Sequence, residues 1–322
     1  MISIDHARPG AAESNRVSPD QQLARSITWA ASKQTYYTVR FLVDRDRADD
    51  AYRAYAYFRW VDDRLDEGDL SAPQRTAFIE RQSELVNRFY RGERSPHLLA
   101  EERLLAALVR GDGEPDSGLQ SYIRHMMAVM AFDAERRGRL ISETELNNYT
   151  HWLAIAATEA LHYFIGHCCK PPQNGLRYLA ATGAHITHML RDMVEDIEAG
   201  YVNVPHEVIE SVGSFPHDVH NPAYRAWVKQ RVEQARDCFR AGQIYLDRLE
   251  NARCRLAGYA YMARFESVLD AIERDDYRLR AAYPECKTLG AGFKMSQAML
   301  LQAVTQRQPV ALSRRISTVE GL

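Results

Sequence analysis

The chain has no stretch approaching the ~18 consecutive apolar residues that a membrane-crossing helix needs. Its opening stretch, "MISIDHARPGAAESNRVSPD", has no apolar run of the kind a secretory signal carries, so residues 1–20 read as a disordered leader. Charge of one sign is also missing. The 41 Lys and Arg against 43 Asp and Glu leave a net charge of -2, which gives no electrostatic footprint for nucleic acid or an anionic membrane. Cysteine is sparse. The five thiols are odd in number and never spaced as Cys-x-x-Cys, which excludes a disulfide framework or a zinc ribbon and fits a reducing cytoplasm. The adjacent Cys168 and Cys169 read as helix packing. No run of alternating β-branched residues is long enough for a sheet, and no repeat of about 20–50 residues recurs. The glycines of "GDGEPDSG" mark a turn, since no strand precedes them to make a dinucleotide loop.

What remains is helical periodicity. Apolar residues recur at three- and four-residue spacing, with breakers between the segments. The spacing predicts helices over 21–43, 47–66, 72–91, 96–110, 117–137, 142–169, 174–199, 221–250, 254–282 and 290–305. "GYVNVPHEV" and "SVGSFPHDVHNP" read as breaks after Gly200. No composition shift marks a second domain, so one all-α domain over 21–305 is expected, with 306–322 a mobile tail.

Two of these helices carry chemistry. In "AYAYFRWVDDRLDE", Tyr55, Arg59, Asp62 and Asp66 share one face, with Ala51, Phe58 and Leu65 beside them. Carboxylates on a core-facing edge are costly unless something positive offsets them. For this helix alone, an ordinary ion pair from Arg59 to Asp62 or Asp63 explains the pattern equally well. "GAHITHMLRDMVEDIEAGYVNVP" repeats it: Asp192 and Asp196 are again four apart, His185 and His188 extend the face, and Arg191 stands beside it. Two such stripes point to a facing constellation. Four carboxylates in a helical bundle need cations. All-oxygen ligands suit Mg²⁺, and nearby arginines suit a diphosphate. The chemistry this supports is ionisation of an allylic diphosphate, with aromatic faces for the carbocation.

With these residues the chain resembles the squalene/phytoene synthase family of all-helical, Mg²⁺-dependent prenyl-transferring enzymes, over about Ser26 to Tyr277. "ASKQTYY" is similar to the family's His-Ser-Lys-Ser-Phe segment, matching at Ser32 and Lys33. "YAYFRWVDDRLDE" resembles Tyr-Ala-Phe-Cys-Arg-x-x-Asp-Asp-x-x-Asp-Glu, and "MLRDMVEDIEAG" resembles Ile-Leu-Arg-Asp-x-x-Glu-Asp. The resemblance implies an isoprenoid-synthase-type helical bundle with a central cavity. It implies metal ligands at Asp62, Asp66, Asp192 and Asp196, and diphosphate contacts from Ser32, Lys33, Arg59 and Arg191, with Tyr55 also in the motif.

The departures from the family are grouped. His185 and His188 stand where the family has Gln and Asn, the Asn being a metal ligand there. Tyr201 and Asn203 replace Arg and Tyr in "GYVNVP", and are expected to face the diphosphate. "LAIAATEA" is bulkier, at Ile155 and Thr158, than the family's glycine-rich segment. Arg280 is shifted from the usual place. These changes spare the ionising machinery and alter the handling of a second substrate. In this the chain resembles a divergent branch of the family that transfers a short prenyl group to an aromatic carbon, and the resemblance implies transfer of a group such as dimethylallyl to an acceptor such as a carbazole. His185 or His188 would be the base in that reaction. The alternatives are head-to-head condensation of two prenyl diphosphates, an inactive scaffold of the same fold, and a di-iron bundle built on Glu159 and His162. The expected location is cytoplasmic.

Overall fold

The structure, a computed structural model, describes residues 18–66, 70–166, 169–213 and 218–284. The expected helix over 290–305, the tail, most of the leader, Cys168 and Cys286 lie outside the described residues. The described residues form eleven α-helices and no strand; the only β-type pairing among them is an isolated bridge between Ile141 and Pro205. The helices are α1 (Pro19–Ala31), α2 (Lys33–Leu42), α3 (Ala48–Asp66), α4 (Ala72–Tyr90), α5 (Ala100–Arg110), α6 (Gly118–Arg136), α7 (Glu143–Phe164), α8 (Leu179–Glu198), α9 (His206–Val212), α10 (Pro222–Asp247) and α11 (Ala252–Arg274). No described helix is long and apolar enough to cross a membrane. Cys169, Cys238 and Cys254 are thiols, and of these only Cys254 is fully buried.

Where helix ends differ from the sequence expectation, local chemistry decides. The segment expected as one helix over 21–43 is divided at Ser32. The Ser32 N–H donates to the Thr28 carbonyl at 2.9 Å, closing α1, while its hydroxyl accepts the Thr35 N–H at 3.1 Å, opening α2. A serine side chain competes for backbone donors in this way, and an extended residue results. α11 stops at Arg274, short of 282, because Asp276 and Tyr277 both turn left-handed, with φ of 55° and 59°. α7 stops at Phe164, short of 169; past its end Gly166 takes φ 78° and donates its N–H to Asp44 at 2.8 Å. α8 starts at Leu179 and not 174, since Asn174 Oδ1 takes the Leu176 N–H at 2.9 Å in a turn. α9 fills part of the segment read as a break; it opens at Pro205 and closes on Gly213, at φ 66°.

The chain divides into two compact units, one comprising Met1–Arg139 with Asn147–Pro171, the other Leu140–Leu146 with Pro172–Leu322. In the first, α3 packs on α1 and α5, and α4 packs on α6. Its core includes Tyr57, Val61, Leu65, Leu104, Leu108 and Ile123. In the second, α8 packs on α10 and α11. The α8–α10 approach is close at two glycines. A Cβ on Gly242 would lie 2.6 Å from the Ala180 nitrogen, and one on Gly183 would lie 2.8 Å from the Ala235 carbonyl. This contact fixes the buried side of α8, which includes Ile186, Met189, Leu190 and Met193, and leaves His188, Asp192 and Asp196 on its less buried side.

Candidate active site

In the first unit the site is the polar edge of α3. The buried stripe of this helix includes Ala54, Phe58, Val61 and Leu65. Asp62 is half-buried beside that stripe, and Asp66, in the last turn, is exposed. Arg59 pairs with Asp62 at 3.4 Å and with Asp63, so the intrahelical pairing the sequence allowed is present. It does not neutralise the edge. Burial, then the Asp66 charge, push the Asp62 carboxyl up to about 6 against the pull of Arg59, and Asp133 adds to the push.

Asp133 is a residue the sequence reading missed. It projects from α6 and accepts hydrogen bonds from Arg136 Nε at 2.6 Å and from the Tyr149 hydroxyl at 3.0 Å. Burial raises its carboxyl pKa, while Arg136 holds it down. The signal for it was one Asp directly after the apolar run "MMAVMAF", at the head of "DAERR". Tyr55 is half-buried, and close enough to Tyr122 to raise that phenol further above its ordinary value, burial being the larger cause. Tyr122 meets Phe58 edge to face at 5.3 Å. Ser32 spends its hydroxyl on the cap of α2, and Thr35 donates to it at 2.9 Å. Lys33 is exposed, with its ammonium over the Trp29 ring at 5.5 Å.

In the second unit the site is the less buried face of α8. Arg191 grips Asp192 with two parallel hydrogen bonds, Nε to Oδ1 at 2.6 Å and Nη2 to Oδ2 at 2.5 Å. His188 Nε2 stands 3.0 Å from the same carboxylate. These partners overcome burial and hold the Asp192 carboxyl well below the usual range. Asn203 Nδ2 donates to Asp196 Oδ2 at 2.7 Å, and the Tyr201 N–H donates to the Asp196 carbonyl at 2.7 Å. Both Tyr201 and Asn203 are buried. The two residues therefore support the second acidic motif. His185 is half-buried on α8 one turn before His188.

A second residue the sequence reading missed is Arg264 on α11. It lines a cleft of about 350 Å³ together with Arg191, Asp192, Glu195, Val268 and Tyr283. Burial lowers its pKa, and the like charge of Arg191 lowers it further. Arg280 pairs with Asp275 at 2.6 Å.

The side chains present fit a hard divalent cation. Burial together with the Asp66 and Asp133 charges outweighs Arg59 at Asp62, and a proton held up to about 6 marks a carboxyl whose charge a bound cation would stabilise. Among the described residues no three His, Cys, Asp or Glu side chains are grouped as a ready-made metal centre. Mg²⁺ does not need one, since it keeps waters and takes one or two carboxylates with substrate phosphates. A di-iron site does need one, and Glu159 and His162 have no such company among the described residues.

An all-α fold of this kind, with carboxylates and arginines on helix faces, is that of the isoprenoid synthases, and solved structures bear this out. The squalene synthase HpnC from Alicyclobacillus acidocaldarius aligns with a TM-score of 0.64 at 19% identity, over 81% of this chain and 95% of its own. A dehydrosqualene synthase aligns with a TM-score of 0.67 at 15% identity, over 90% of this chain and 97% of its own. The squalene/phytoene synthase family matches residues 29–288. The chain belongs to that family and is a prenyltransferase. A 15-cis-phytoene synthase of Synechococcus elongatus is 24% identical over 309 residues, covering 90% of this chain and 96% of the relative.

Proposed function

We propose that this enzyme binds Mg²⁺ through Asp62, Asp66, Asp192 and Asp196 and ionises an allylic prenyl diphosphate. The observation that supports the reading is Asp62, half-buried on α3 and pushed up to about 6 by burial and then by the Asp66 charge, with Asp133 adding to it, where a cation would stabilise the ionised carboxylate. When bound, Mg²⁺ supplies electrophilic stabilisation of the charge growing on the departing diphosphate. Diphosphate-binding roles fall to Arg191 and Arg264 in the second unit and, separately, to Ser32, Lys33 and Arg59 in the first. Tyr55 and the rings near it offer π faces to the carbocation.

The acceptor in this reading is an aromatic carbon, as in a carbazole, and the donor is dimethylallyl diphosphate. Two features support it. Histidines replace the family's amides on α8, and Ile155 and Thr158, both buried, occupy volume that long prenyl chains would need. His185 or His188 is the candidate that accepts the ring proton, and His188 Nε2 stands 3.0 Å from the Asp192 carboxylate. A second reading, condensation of two prenyl diphosphates, is favoured by Arg264. That guanidinium beside Arg191 restores positive charge that the shifted Arg280 had removed.

Incubation with Mg²⁺ and prenyl diphosphates of five to twenty carbons, alone and with carbazole acceptors, tests both readings by mass spectrometry. A prenylated carbazole from the five-carbon donor supports the first. A hydrocarbon of thirty or forty carbons formed without acceptor overturns it and establishes the second; in that case Arg264→Gln should suppress condensation more than diphosphate release.

A further inference from the structure

Seven large apolar side chains are exposed in the described residues, and three of them are in one place. Trp29 at the end of α1 and Tyr37 and Phe41 on α2 are 42%, 47% and 67% exposed. Trp29 meets Tyr37 edge to face at 5.9 Å, and Tyr37 stacks on Phe41 at 6.0 Å. The other four, Leu99, Leu140, Ile244 and Leu256, are spread over separate elements. The aromatic stripe is held from below. Tyr36 touches Trp29 at 5.0 Å and Tyr52 at 5.3 Å, and the buried Tyr52 donates its hydroxyl proton to the Tyr36 carbonyl. The rings are therefore presented on a fixed base.

Cations frame the stripe. Lys33 sits over Trp29 at 5.5 Å and Arg40 over Phe41 at 5.9 Å. Residues 21–43 contain Arg25, Lys33 and Arg40 and no Asp or Glu, in a chain that carries 43 acidic residues overall. Exposed Trp, Tyr and Phe flanked by Lys and Arg are the composition of a membrane–water interface, where amphipathic rings sit at headgroup depth and cations meet lipid phosphate. The exposed ring area is about 300 Å² at ~200 Å² per aromatic side chain. A standard protein interface needs about 800 Å² per partner, so this stripe is too small for one.

We propose that the α1–α2 segment docks the enzyme on an anionic lipid surface, with Trp29, Tyr37 and Phe41 entering the headgroup layer and Arg40 pairing with lipid phosphates. The inference is independent of the acceptor. It suits a prenyltransferase, whose substrates and products carry apolar chains that partition into lipid.

The test is co-sedimentation of the full chain with vesicles of phosphatidylcholine alone or with one quarter phosphatidylglycerol, at low and physiological salt. Wild type should bind the anionic vesicles, more weakly as salt rises. Tyr37→Ser with Phe41→Ser should lower the bound fraction about tenfold while the circular dichroism spectrum stays unchanged. Arg40→Glu should remove the preference for the anionic lipid. Quenching of Trp29 by brominated lipid gives a readout that does not depend on the double variant folding. Quenching should be present in wild type and lost in Trp29→Phe, which retains the other three of the four tryptophans. Absence of wild-type binding to either vesicle overturns the proposal. So does equal binding by wild type and the serine variant, or a dimer by light scattering that the serine variant loses.

Discussion

At the residue scale, two aspartates of the same motif type sit in opposite electrostatic surroundings. Asp62, buried and then crowded by carboxylates, holds its proton up to about 6, while Asp192, gripped by Arg191 and His188, is ionised far below the usual range. The signs differ accordingly. The folded chain keeps the Asp62 proton longer than the unfolded chain does. Its contribution to stability therefore falls as pH rises from about 4 to about 6 and is constant above that. Asp62→Asn should remove that fall, and the melting-temperature gap between variant and wild type should widen from pH 4 to pH 6. A gap that does not change with pH would contradict the raised Asp62 pKa. Asp192 contributes stability above the ordinary carboxylate range that is lost on acidification. For activity, Asp62→Asn and Asp192→Asn should each lower diphosphate release at least about a hundredfold, since each ~1.4 kcal/mol of lost transition-state stabilisation is a factor of ten. Wild-type rates in both variants, or full activity in excess chelator, would refute the metal assignment.

At the scale of elements, the placement of α8 depends on how closely α10 approaches it. Ala at position 242 gains about 1 kcal/mol of helix propensity over Gly. The new methyl would meet the Ala180 backbone at 2.6–2.7 Å, however, and a backbone cannot swing aside as a side chain does. Overpacking of this kind costs about 1–3 kcal/mol or more, so the clash wins. Gly242→Ala should lower the denaturant midpoint, and a neutral or stabilising result would show that the two helices part easily. The break at Ser32 belongs to the same scale. Ser32→Ala should destabilise by about 1 kcal/mol through loss of the cap of α2 alone. If the KM for the prenyl diphosphate also rises, the hydroxyl serves the substrate as well as the cap.

At the scale of the molecule, ligands that bind only the folded chain raise its stability by mass action. Mg²⁺ with pyrophosphate should raise the melting temperature more than either alone, because the anion completes the coordination that one or two carboxylates leave open. The net charge of -2 is also a whole-molecule quantity. A balanced total conceals 23 consecutive residues, from 21 to 43, that hold three cations and no acid. Only the ring contacts among Trp29, Tyr37 and Phe41 gather that composition into one patch.

By itself the sequence determined the all-α class, the order of the long helices and the two acidic motifs. These rest on spacing along a helix of 3.6 residues per turn, which is a local property of the chain. It also sufficed to place Asp62 beside the buried Phe58 and Leu65, and Asp192 one turn beyond His188. What it left open required distances between residues far apart in the chain. Asp133 on α6 acts on Asp62 across 71 positions, and Arg264 on α11 acts on Arg191 across 73. Which candidates bind protein groups is decided nearer along the chain, by backbone and rotamer geometry at about 3 Å: Ser32 caps α2 three residues on, His188 meets Asp192 one turn on, and Asn203 reaches back seven residues to Asp196. Periodicity records which face a side chain occupies, and tertiary structure decides which charges meet there, because electrostatic energy depends on separation in space and on burial, neither of which is written in the order of residues.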